Sequence, residues 1–211
     1  FRRRIIFFAD FGNMPYNKGN EMPVLKKGKA GTQSQYYEKG VLLMVPMKYK
    51  GLGFDRYDSE AYNKEAVATM KALVGEAAKG AFVYGPPGTG KSMLVAVFAN
   101  EKTKAGTDTM FLTAAELFSE TIGAANETSR IKFTEKAEAV PCLVVDDLDA
   151  AHLNQEAGET LIGLLKVRQD NNRQTIVASK FPLADVPKKT EGVGEELHEM
   201  LEGLGEHVVL K

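Results

Sequence analysis

Ala81-Phe82-Val83-Tyr84-Gly85-Pro86-Pro87-Gly88-Thr89-Gly90-Lys91-Ser92 is the stretch whose reading decides the fold. A short apolar run feeds a glycine-rich loop, and the loop opens into the segment Met93 to Glu101, which reads as an amphipathic helix. This is the pattern G-x-x-x-x-G-K-[ST] in a strand, loop and helix setting. Gly85, Gly88 and Gly90 reach backbone angles that other residues avoid. Successive N–H groups of the loop, which also holds Pro86, Pro87 and Thr89, can then turn inward around a phosphate. Lys91 is placed to reach the β- and γ-phosphates and the Ser92 hydroxyl to ligate Mg²⁺, while the helix offers the anion its positive end.

A loop of this kind needs an acid partner at the end of another strand. Leu143-Val144-Val145-Asp146-Asp147 supplies it about 55 residues downstream. A buried strand carries Asp146 to its carboxyl tip, where open parallel sheets bind ligands, so that its carboxylate can hold Mg²⁺ through water. Asp147 beside it is the candidate for orienting the water that attacks the γ-phosphate. Further on, Thr175-Ile176-Val177-Ala178-Ser179-Lys180 brings a hydroxyl and a cation to the end of a third strand. If that strand is wedged between the other two, Ser179 and Lys180 can touch the γ-phosphate and the attacking water.

The remaining sequence alternates the two periods. Helical spacing recurs in Ala66, Met70, Leu73 and Val74, over Ala114 to Ile122, in Ile131, Phe133 and Ala137, over Glu156 to Val167, and from Leu183 to Leu204. Strand-like runs are Ala81 to Tyr84, Thr109 to Thr113, Cys142 to Val145, Thr175 to Ala178 and Val208 to Leu210. Strands alternating with helices imply an α/β protein of three layers around a central parallel sheet, a P-loop NTPase. Residues 1–44 lack long periodicity and are punctuated by Gly12-Asn13, Pro15, Pro23 and Gly28, which reads as an N-terminal arm, partner-docking or partly disordered. The ATPase domain is expected over 45–211. Val41 to Val45 has the composition of a short strand at that boundary.

The chain of 211 residues is 44% hydrophobic and 26% charged with a formal charge of -1, which is ordinary for a globular protein and argues against a generally basic, nucleic-acid-coating one. Its single cysteine, Cys142, lies in an apolar run and reads as a core residue in a reducing, cytoplasmic setting. No apolar run approaches the roughly 18 residues that a membrane span needs. His152, His198 and His207 lack ligand spacing, so the expected metal is the Mg²⁺ that accompanies ATP. A GTPase would need an Asn-Lys-x-Asp element; Asn17-Lys18-Gly19-Asn20 and Asn63-Lys64-Glu65-Ala66 lack the aspartate. A nucleotide kinase would bring an arginine-rich lid, and no arginine follows Arg173.

Assembled, these residues resemble the DnaC/DnaI/IstB group of AAA+ ATPases from about Val45 onward. The specific weight lies in the lead-in Val45-Pro46-Met47-Lys48-Tyr49-Lys50 with Phe54-Asp55-Arg56-Tyr57-Asp58 and Asn63-Lys64-Glu65-Ala66, and in Ile176-Val177-Ala178-Ser179-Lys180-Phe181-Pro182. Phe111-Leu112-Thr113-Ala114-Ala115-Glu116-Leu117 and the acid pair match as well. The resemblance implies a helper that uses ATP and Mg²⁺ to place a replicative helicase on single-stranded DNA, or the accessory ATPase of a transposase. It also implies self-association with ATP at subunit boundaries.

The chain departs from that group in places. Asp147 stands where loaders often have glutamate, and Lys180 where an asparagine is usual. The helix Glu195-Glu196-Leu197-His198-Glu199-Met200-Leu201-Glu202 occupies the region of the family's arginine that enters a neighbouring active site, and it contains none. Such an arginine accelerates turnover by about 10³ to 10⁵ in other NTPases. Lys188 or Lys189 could replace it only as a point charge. Slow intrinsic hydrolysis, or activation by an arginine from another protein, is the expectation. The arm matches no helicase-docking domain. Arg130, Lys132, Phe133 and Lys136 combine cations with an aromatic, as a strand-binding surface does, although Phe133 also fits the core.

Overall fold

The computed structural model describes residues 45–57, 63–150 and 153–211. The expected arm, most of the Val41 to Val45 run and His152 lie outside the described residues. Val45 itself is buried, in backbone that belongs to no strand.

Two 3₁₀ turns, Met47–Tyr49 and Phe54–Arg56, lead in. Then follow α1 (Lys64–Val74), β1 (Gly80–Tyr84), α2 (Lys91–Lys104), β2 (Thr109–Thr113), α3 (Ala114–Thr121), α4 (Glu127–Ala139) and β3 (Cys142–Asp146). The chain continues through α5 (Gln155–Asp170), β4 (Gln174–Ser179), α6 (Val186–Lys189), α7 (Gly194–Glu202) and β5 (Gly205–Val209). Local chemistry sets several starts. A reciprocal capping box between Thr113 and Glu116 opens α3, while the Asn126 and Asn154 side chains accept the first free N–H groups of α4 and α5.

Among the described residues the strands form one parallel sheet in the order β2-β3-β4-β1-β5. Side chains alternate across it, and the two sets fill two separate cores. Phe82, Leu112, Leu143, Val145 and Val177 face the layer that includes Leu117, Leu161 and Leu197 of α3, α5 and α7. Ala81, Val83, Val144, Ile176 and Ala178 face Met70 and Leu94 of α1 and α2. The three-layer α/β expectation is met, and β4 does lie between β3 and β1.

Four expectations need correction. Helix α2 is not amphipathic: Leu94 through Asn100 are all buried, because the helix is covered by the sheet on one side and by α1 and the lead-in turns on the other. The helical pattern from Leu183 to Leu204 is broken into a 3₁₀ turn, α6 and α7, since Pro187 restricts one start and Gly192, at φ +76°, reverses the chain before the next. Strand β5 begins at Gly205, earlier than its apolar residues, because Glu206 and His207 sit on a sheet edge with little to bury. The helix read from Ile131, Phe133 and Ala137 is longer than those residues span, running over the 13 residues of α4.

Buried polar side chains tie these elements together. Arg168 is fully buried and spends its donors on the carbonyls of Ala137 (2.7 Å), Val140 (2.8 Å) and Gln174 and on the Thr175 hydroxyl (2.8 Å). It thereby joins α5 to β4 and to the carboxyl end of α4, where a cation also suits the helix dipole. Burial pulls its guanidinium down to about 10, so it stays charged at neutral pH. Lys102 closes the end of α1 in the same way, donating to Glu76 at 2.6 Å and Val74 at 3.1 Å. Phe133 packs against the core, as expected of a core residue, and Arg130 is engaged by Glu127.

Candidate functional site

The strand order brings the carboxyl ends of β1, β4 and β3 side by side, and the loops that follow them form the site. After β1 the chain must pass close to the backbone that continues β5. A Cβ on Gly85 would lie 2.3 Å from the Leu210 carbonyl oxygen, so only glycine fits. Gly90 is constrained twice: its φ is +90°, and a Cβ would lie 2.8 Å from the Tyr57 hydroxyl. It precedes α2 and provides no side-chain cap, so the first N–H groups of that helix stay open to an anion.

The loop is braced from several sides. The Thr89 hydroxyl donates to the Pro86 carbonyl at 2.9 Å. The Thr89 carbonyl accepts from the Tyr57 hydroxyl at 3.4 Å and from the Asn63 amide at 3.2 Å. Asn63 also accepts the Lys211 N–H at 3.0 Å, linking the phosphate loop to the residues after β5. The Lys91 ammonium folds back on its own loop, 2.6 Å from the Gly85 carbonyl and 2.8 Å from that of Pro86. Burial lowers its pKa, opposed by the charges of Asp149, Asp146 and Asp147.

Strand alternation puts Asp146 on the same face of β3 as Cys142 and Val144, toward α2. There the Ser92 hydroxyl hydrogen-bonds to its nearly buried carboxylate, which also accepts the Asp147 N–H at 2.9 Å. Burial pushes the Asp146 carboxyl up; the Ser92 bond works against it and the Asp147 charge works with it. Asp147 adopts φ +59°, a left-handed conformation that aspartate tolerates better than most residues, and its side chain is exposed at the mouth of the site. Partial desolvation and the Asp149 charge raise its pKa, opposed by Lys180 and Lys91.

On β4, the buried Ser179 hydroxyl accepts the Phe181 N–H at 3.3 Å. The adjoining Lys180 is held by Asp149, a residue that the motif reading passed over. Asp149 accepts the Lys180 N–H at 2.7 Å and its ammonium at 3.0 Å, and lies 3.5 Å from the Ser179 hydroxyl. The run Asp146-Asp147-Leu148-Asp149 shows a third acid, but its partner is thirty-one residues away and leaves no local signal. Tyr57 and Asn63, whose spacing in the lead-in carries no chemical signature, take their role only here, by bracing the Thr89 carbonyl. Lys188 and Lys189 lie on α6, with Lys188 paired to Asp185 at 3.4 Å.

An uncapped helix start with one ammonium beside it suits an anion, and a carboxylate beside a hydroxyl suits a hard cation. Residues 81–184 match the family described as ATPase family associated with various cellular activities (AAA). A 26S proteasome regulatory subunit homolog of Methanocaldococcus jannaschii is 37% identical over 86 residues, 40% of this chain and 22% of that protein. The chain spans only 5% to 33% of the length of the curated relatives it matches. Among solved structures, DnaI has a TM-score of 0.70 at 20% identity, covering 80% of this chain and 96% of its own. The DnaC helicase loader has 0.67 at 23%, covering 79% and 100%. The family match runs from β1 past the acid pair to the turn after β4, and the chain has the AAA+ fold in its DnaC/DnaI form.

Proposed function

We propose that this chain binds ATP with Mg²⁺, hydrolyses it slowly, and uses the bound state to load a replicative helicase onto single-stranded DNA in replication initiation. The observation that carries the reading is the convergence of Lys91, Ser92, Asp146, Asp147 and the Ser179-Lys180 turn at one end of the sheet. The donor set fits the group: Gly85 to Ser92 cradle phosphates, and Ser92 with Asp146 offers the oxygen ligands that Mg²⁺ prefers. When bound, the metal offsets phosphate charge. Lys91 exchanges its carbonyl partners for phosphate oxygens. Asp147, beside the metal acid, orients water and accepts its proton, and Ser179 and Lys180 hold the γ-phosphate side of the site.

The helicase part of the reading draws on likeness to the DnaC helicase loader along its whole length, with self-association through the ATP sites and work in the cytoplasm as corollaries. A second reading, a nucleotide-gated adaptor such as a transposition accessory, is favoured by α7. Glu195, Glu196, Glu199 and Glu202 are exposed there, and the helix has no arginine. ATP turnover measured with and without single-stranded DNA and a candidate replicative helicase separates the two. Stimulation supports the loader; tight ATP binding without stimulation by either supports the adaptor.

A further inference from the structure

Outside the phosphate loop and the acid pair, the described residues at this end of the sheet include an ionic contact between Asp149 and Lys180. Asp149 sits in the 3₁₀ turn Leu148–Ala150 just after the acid pair, and its side chain is 8% exposed. Its two oxygens divide their work. One accepts the Lys180 backbone N–H at 2.7 Å and lies 3.5 Å from the Ser179 hydroxyl; the other takes the Lys180 ammonium at 3.0 Å. A single carboxylate therefore fixes both the main-chain path at the end of β4 and the head of a side chain that is otherwise 54% exposed. A lysine head has several rotatable bonds, and Asp147 offers it a competing carboxylate: the two charges act on each other.

We infer that Asp149 is a positioning residue: it keeps Lys180 off Asp147 and directed to the γ-phosphate side of the site, making the pair the element that distinguishes ATP from ADP. The inference rests on the ATPase reading above. Among the described residues the direct contacts of the Asp149 side chain are to Lys180 and Ser179, so its positioning effect passes through them. Its charge also reaches Lys91, which couples the turn to the phosphate loop. A bare negative charge beside phosphates would weaken every nucleotide. A residue that aims a cation strengthens only the one with a third phosphate.

The test is the affinity of the full chain for ADP and for AMPPCP, a non-hydrolysable ATP analogue, each with Mg²⁺, in the wild type, Asp149→Ala, Asp149→Asn, Lys180→Ala and Asp149→Ala/Lys180→Ala. Loss of a charge-assisted contact predicts roughly tenfold to hundredfold weaker AMPPCP binding in Lys180→Ala and Asp149→Ala, with ADP binding unchanged to within about twofold. The double variant is expected to lose no more than either single one. Asp149→Asn, whose amide oxygen still accepts the Lys180 N–H, should recover part of the loss. Tighter binding of both nucleotides in Asp149→Ala, equal weakening of both, or additive losses in the double variant would overturn the inference. Wild-type protein that binds neither nucleotide would overturn the ATPase reading, and this inference with it; wild-type binding with unselective variants would overturn this inference alone.

Discussion

The Lys91 ammonium lies 2.6 Å from the carbonyl oxygen of Gly85, the residue that opens its own loop. The contact satisfies a partly desolvated cation, and it must be given up when a phosphate enters. Lys91→Met is therefore expected to weaken nucleotide binding at least a hundredfold, since charge-assisted bonds to phosphate are lost. Its melting temperature without nucleotide should stay within about 2 °C of wild type, because the variant also removes a cation whose burial is unfavourable. Calorimetric titration and a thermal melt check the two halves separately.

Asp147 combines exposure with φ +59°. Asp147→Asn keeps a residue that accepts this backbone and removes the proton acceptor. Nucleotide affinity should hold within about threefold while turnover falls at least a hundredfold. Undiminished turnover would remove Asp147 from the mechanism. Asp147→Val should lose stability as well, because a β-branched side chain is strained at positive φ.

Among the described residues Arg168 is the largest fully buried side chain, and it holds carbonyls at the end of α4 and at the β4 start. Arg168→Met fills much of the space and orphans those oxygens. We expect a loss of about 3 kcal/mol in urea unfolding, the usual scale when a buried donor is removed from its partners. The nucleotide affinity of the folded fraction should change little.

Burial pushes the Cys142 thiol from 9.0 up to about 11. The folded chain thus holds a proton that the unfolded chain releases between those values. Stability attributable to the neutral thiol is complete below pH 9 and is lost as pH rises through 11. Two units correspond to about 2–3 kcal/mol. Unfolding free energies of wild type and Cys142→Ala, compared between pH 8 and 11, should converge by that amount. A constant difference would place the thiol in a more polar setting than the structure does.

The phosphate loop, the acid strand and the alternation of strands and helices were legible in the sequence. Their signals are local: Gly85, Gly88, Gly90, Lys91 and Ser92 act within one loop, and Leu143 to Asp147 show their burial by unbroken apolarity. The position of β4 between β3 and β1 was only a condition of the sequence reading, because strand order leaves no local signal, and the sheet itself decided it. Tertiary structure decided what these parts lean on. Lys180 is governed by Asp149, thirty-one residues away; Thr89 is braced by Asn63, which also holds Lys211 across 148 residues; and Arg168 reaches back to α4. Contacts at such separations leave no periodicity, because side-chain pairing across loops depends on where the sheet brings backbone segments together. The same reason explains the misread helices. The apolar pattern after Leu183 ignores the turn that Pro187 and Gly192 impose, and the unbroken apolar run Met93 to Ala99 of α2 has no polar face, as suits a helix covered by the sheet on one side and by α1 and the lead-in turns on the other.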